Sequence, residues 1–141
     1  MKIDWRLVAA VAVGGALGSV ARYLVGAFIQ GRVSTALPVG TLVINVAGSL
    51  LLGFFMAVGL ETTAITPEVR FFLTTGFCGG FTTFSTFSYE TYRLMEDGEY
   101  STAGIYAAAS VFLSVLACAL GFGAARRLIG GPRPSTRVDA P

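Results

Sequence analysis

"GFCGGFTTFSTFSYE", residues 76–90, decides the fold. Its fifteen positions hold three glycines, five serine or threonine residues and four phenylalanines, inside a long uncharged run. A helix built only to anchor a chain in lipid would be filled with Leu, Ile and Val. Lipid satisfies no hydrogen bonds, so polar groups at membrane depth must face protein or water. The stretch therefore reads as a working part of a membrane protein.

The rest of the chain agrees. Of 141 residues, 54% are hydrophobic and 13% charged, and mean hydropathy is +0.71. Soluble domains carry about 25% charged residues. The formal net charge of +2 is too small to argue for nucleic acid, and the absence of His removes imidazole metal ligands and His-based catalysis. An enzyme is not expected. Cys78 and Cys118 lie in apolar segments and read as packing residues.

A spanning helix needs about 20 mostly apolar residues. Four candidates appear, at residues 7–28, 39–60, 67–94 and 101–125. The basic, apolar start resembles a signal peptide, but Asp4, Trp5 and Arg22 and the spans that follow make it the first membrane helix. Thr66-Pro67-Glu68 is a strong helix start: a capping hydroxyl, a proline at the first position, then an acid at the positive end of the dipole. The expected fold is an all-α membrane protein of four helices over residues 1–129. Residues 130–141, rich in Pro and Gly, are expected to form a disordered tail. Four spans put both termini on one side. Lys2, Arg6, Arg70, Arg126, Arg127, Arg133 and Arg137 fall there, against Arg32 and Arg93 opposite, which favours cytoplasmic termini.

Spacing within the spans is informative. Thr41, Asn45 and Ser49 are four apart, as are Thr102, Tyr106, Ser110 and Ser114, so each set shares one helix face. Thr82, Thr83, Ser85, Thr86 and Ser88 are too dense for one stripe. Hydroxyls bonding between helices would explain any single residue. Three polar faces in one small bundle favour a water- or ion-lined path. Asn45, the only Asn, fits either interhelical glue or a pore ligand.

Gly14-x-x-x-Gly18 and Gly76-x-x-x-Gly80 both match the small-residue packing motif of membrane helices. We assign packing to the first pair but not to the second, which lies in a stretch read as breaking the helix. Residues 67–94 would make a helix about 42 Å long against a core of about 30 Å, and Gly79-Gly80 followed by hydroxyls is the expected break point. Phe81, Phe84 and Phe87 are three apart and border the hydroxyls. Their ring edges carry partial positive charge and could hold an anion weakly. Arg22 reads either as snorkelling to the interface or as an anion-attracting mouth. Glu90 marks the far end of the third span.

"GGALGSVARY" (14–23), "PVGTLVINVAGSLLLG" (38–53) and "GFCGGFTTFSTFSYE" (76–90) together resemble the Fluc/CrcB fluoride channel family. The resemblance extends over all four spans. It implies a bacterial inner-membrane channel, embedded in lipid, that exports fluoride passively. It also implies an antiparallel, dual-topology homodimer with two pores at its interface and the third helix broken in mid-membrane. By motif position, the fluoride pore would be lined by Asn45, Phe84, Phe87, Thr83, Ser85, Tyr106, Ser110 and Ser114. Arg22 and Glu90 would sit at the vestibule. Backbone carbonyls of Gly79 and Thr82 from both subunits would hold a structural sodium ion on the two-fold axis. The basic-residue bias sits poorly with dual insertion, and leaves a heterodimer with a relative open. Two other classes compete: a small four-helix multidrug transporter, which wants a carboxylate in span one that is missing here, and a non-transporting membrane scaffold.

Overall fold

A computed structural model describes residues 3–63 and 65–130. The expected disordered tail therefore lies almost entirely outside the described residues. Among these the chain is all helical: α1 (Trp5–Gln30), α2 (Val39–Glu61), α3 (Pro67–Phe71), a π-helical segment (Phe72–Cys78), α4 (Gly79–Phe81), α5 (Phe84–Glu96) and α6 (Tyr100–Ile129). Helices α1, α2 and α6 are long and apolar enough to cross a membrane. Each contains one of the expected spans, exceeding it by a few residues in α1 and α6 and by one in α2.

Local chemistry sets the ends. Asp4 caps α1 by accepting the Arg6 amide at 2.9 Å. Thr66 caps α3 by accepting the Val69 amide at 3.4 Å, with proline next in line, as the sequence predicts. Gly98 (φ 81°) closes the α5–α6 turn in the left-handed region, where the Glu99 amide returns to the Leu94 carbonyl at 2.8 Å.

Small residues bring the backbones together. A Cβ on Gly53 would strike the Cys118 carbonyl and one on Gly121 the Leu50 carbonyl, so α2 and α6 pack backbone to backbone. Gly14 and Gly18 of α1 are buried against the Phe72 and Phe77 carbonyls, as the packing motif predicts.

The second glycine pair corrects the sequence reading. Gly76 and Gly80 also pack on α1: a Cβ on Gly76 would stand 3.0 Å from the Gly14 Cα, and one on Gly80 3.0 Å from the Gly15 Cα. These glycines are spent on close approach, and helix continues through Gly79–Phe81. The break falls at Thr82 (φ −79°, ψ 159°) and Thr83 (φ −153°, ψ 119°). There the hydroxyls supply alternative backbone partners. Thr82 Oγ1 donates back to the Cys78 carbonyl at 2.9 Å, and Thr83 caps α5 by accepting the Thr86 amide at 3.2 Å. The break also divides the phenylalanines. Phe81 is buried and stacks on Phe77 with centroids 6.0 Å apart, whereas Phe84 and Phe87 pair beyond the break at 5.3 Å.

Candidate functional site

Two extended residues in the middle of a helix strip several main-chain groups of their helical partners, and such groups are costly to bury unpaired. Helix α2 answers for Thr83. Its amide donates to Asn45 Oδ1 at 2.8 Å, and its carbonyl accepts from Asn45 Nδ2 at 3.0 Å. One side chain thus satisfies both main-chain groups of one residue. Asn45 is therefore a clamp on the break, and one amide hydrogen remains for the groove it lines. Helix α1 answers for Thr82 and Gly80. Arg22 Nη1 donates to the Thr82 carbonyl at 3.4 Å, and Ser19 Oγ to the Gly80 carbonyl at 3.5 Å. Arg22 does not snorkel outward; it turns into the molecule at the break.

Two hollows meet at Thr83. The larger, about 470 Å³, is lined by Ser19, Arg22, Thr41, Thr83, Thr86 and Glu90 among others. Within it Glu90 accepts Thr41 Oγ1 at 2.8 Å through Oε1 and the Tyr106 hydroxyl at 2.7 Å through Oε2. The smaller, about 270 Å³, is a groove lined by Asn45, Ser49, Thr82, Thr83, Phe84, Phe87, Ser110, Val111, Ser114 and Val115. Six of the eight residues expected along the pore meet there: Asn45, Thr83, Phe84, Phe87, Ser110 and Ser114. Ser85 stands beside it, its Oγ 3.2 Å from Thr83 Oγ1. Tyr106 does not line the groove. It is fully buried, turns its hydroxyl to Glu90, and backs the groove with its ring 5.4 Å from that of Phe87.

The groove is open on one side, and Phe84 is 76% exposed. Ser110 is 5% exposed, and its Oγ is sealed beneath the groove, near the Tyr106 hydroxyl.

The carbonyls expected to hold sodium fit a hard cation. In a continuous α-helix the Thr83 amide would close on the Gly79 carbonyl; here it goes to Asn45. The Thr86 amide would close on the Thr82 carbonyl; here it goes to Thr83 Oγ1. Both oxygens are thereby released from helical pairing, and freed carbonyls at a broken helix suit an alkali cation. Gly79 is also exposed, with nothing closer than 3.9 Å to where its Cβ would be.

Sequence reasoning missed three contributors. Thr41 and Ser49 were legible as members of the α2 stripe but not as partners of Glu90 and the groove. Ser19 carried no signal, because its target lies 61 residues away.

The family of CrcB-like proteins (camphor resistance) matches residues 9–122. Among curated proteins, a "Fluoride-specific ion channel FluC" of Geobacter sulfurreducens is 50% identical over 119 residues, 84% of this chain and 96% of that protein. Another of that name, from Geobacter metallireducens, is 49% identical over 121 residues, 86% and 98% of the two chains. A third, from Thermus thermophilus, is 46% identical over 120 residues, 85% and 94%. With its long apolar helices and this match over most of its length, the chain is a multi-pass membrane protein belonging to the CrcB family of ion channels, not of enzymes.

Proposed function

We propose that this chain is a subunit of a fluoride-selective channel that lets fluoride leave the bacterial cytoplasm passively across the inner membrane and so limits its toxicity. The subunit crosses the membrane four times. Helices α1, α2 and α6 supply three crossings, and residues 67–94 supply the fourth in two halves. Two copies associate in antiparallel fashion, and each open groove is closed by the partner to give two pores. A sodium ion on the two-fold axis, held by the Gly79 and Thr82 carbonyls of both copies, braces the crossing point. Residues 1–129 act as one channel domain.

Nearly full-length relatives named as fluoride channels support the ion, and the groove supports the route. Fluoride is strongly hydrated, so a narrow path must replace water with donors. The hydroxyls lining the groove, the remaining Asn45 amide hydrogen and the ring edges of Phe84 and Phe87 would supply them. None carries full positive charge, so binding stays weak enough for exit. Arg22 lends positive potential to the larger hollow, which serves as the mouth. Both Glu90 oxygens are engaged by hydroxyls there, so its charge is partly spent on positioning Thr41 and Tyr106.

The single observation that carries this reading is the convergence of Asn45, Ser110, Ser114, Phe84 and Phe87 on one groove beside the helix break. Ser110→Ala removes one small hydroxyl from the groove wall, so thermal stability is expected to change by no more than about 1 kcal/mol. Fluoride efflux from liposomes is expected to fall by about tenfold, the loss of one hydrogen bond of about 1.4 kcal/mol. Unchanged efflux would remove Ser110 from the path.

A further inference from the structure

Arg22 places a permanent positive charge on an oxygen expected to bind a cation. Its Nη1 lies 3.4 Å from the Thr82 carbonyl oxygen. That same carbonyl has lost the Thr86 amide to the Thr83 hydroxyl, which accepts it at 3.2 Å. A carbonyl oxygen has two lone pairs, so guanidinium and cation can share it. They also repel each other across it.

We infer that Arg22 is a positioning residue that sets the cation affinity of the helix break, holding the Thr82 carbonyl in place while weakening the ion bound there. The inference rests on the sodium reading given above. Three features support it. Arg22 reaches the break from α1, a different helix, 60 residues away in sequence, so the contact is built by the fold and does not follow from local chain geometry. Ser19, one turn earlier on the same helix, reaches the Gly80 carbonyl at 3.5 Å, so α1 presents a row of donors to the break. Among the described residues no carboxylate forms an ion pair with Arg22, and Glu90, which lines the same hollow, is engaged by Thr41 and Tyr106 instead. Asn45, by contrast, holds Thr83 with a neutral amide. The break is thus clamped on one side by a dipole and on the other by a charge, and only the charged side touches a carbonyl of the cation pair.

Sodium binding is read as the rise in thermal-unfolding midpoint of the purified full chain when sodium replaces a large organic cation, titrated to its half-saturating concentration. Ligands that bind only the folded state raise the midpoint by mass action. With Arg22→Gln the half-saturating sodium concentration is expected to fall by about tenfold or more, because a like charge close by in a low-dielectric setting is removed. Arg22→Lys, which keeps the charge, is expected to stay within about threefold of the unsubstituted chain. If the Gln variant does not assemble, Arg22→Met replaces it with the same expectation. An unsubstituted chain with no sodium-dependent midpoint would overturn the sodium reading itself. A sodium-dependent midpoint whose half-saturation is unmoved or weakened in the uncharged variants, or tightened equally in Arg22→Lys, would overturn only the role of Arg22.

Discussion

Asn45 holds the Thr83 amide with its oxygen and the Thr83 carbonyl with its nitrogen, at 2.8 and 3.0 Å. Aspartate at this position keeps the acceptor and loses the donor, setting a second carboxylate oxygen against the Thr83 carbonyl. Asn45→Asp should cost about 1–3 kcal/mol, the range for a buried group left unsatisfied, and lower fluoride efflux by at least about tenfold. Wild-type efflux together with an unchanged unfolding midpoint would show that the clamp is dispensable. Phe84 gives the opposite pattern. Its ring is 76% exposed within the subunit, so Phe84→Ala removes little intramolecular packing. Efflux should fall by a similar factor with the proposed dimer intact on gel filtration, and a variant that conducts normally would take the ring out of the path. At this scale the sequence showed which residues share a helix face better than what each of them touches. The four-residue spacing of Thr41, Asn45 and Ser49 put them on one face. That Asn45 would grip a main chain 38 residues away depends on where α5 starts, which spacing within α2 does not encode.

The broken third segment shows what local rules resolve and what they leave open. Its length against the membrane and its hydroxyl content predict a break. The position was read three residues early, because glycine has two uses. A glycine pair can loosen a helix or let another backbone approach, and only the neighbouring helix decides between them. Here α1 occupies the space above Gly76 and Gly80, and the threonines do the breaking. The π-helical turn over Phe72–Cys78 likewise left no trace in residue pattern. Gly18 and Gly104 make the packing argument testable. A Cβ on Gly18 would strike the Phe77 carbonyl, whereas one on Gly104 meets nothing within 4 Å. Gly18→Leu should destabilise by about 3 kcal/mol or more through overpacking. Gly104→Ala, inside α6, should stabilise by about 0.5–1 kcal/mol through helix propensity. Thermal unfolding in detergent measures both, and equal midpoints would mean that the α1 contact contributes nothing.

Across the molecule, the long helices were the most legible feature, because an apolar run of membrane length has few other uses. The least legible was the arrangement that makes the groove, which needs α2, α5 and α6 together. It remains one-walled in a single subunit, which is why a second, inverted copy is central to the proposed channel. The basic residues gathered near the termini argue for one orientation. The chain therefore has to be assayed alone, purified from cells that make no relative of it. Reconstituted into liposomes loaded with either fluoride or chloride, it should release fluoride rapidly and chloride no faster than protein-free liposomes do. Equal release of the two ions, or release of neither, would contradict the account.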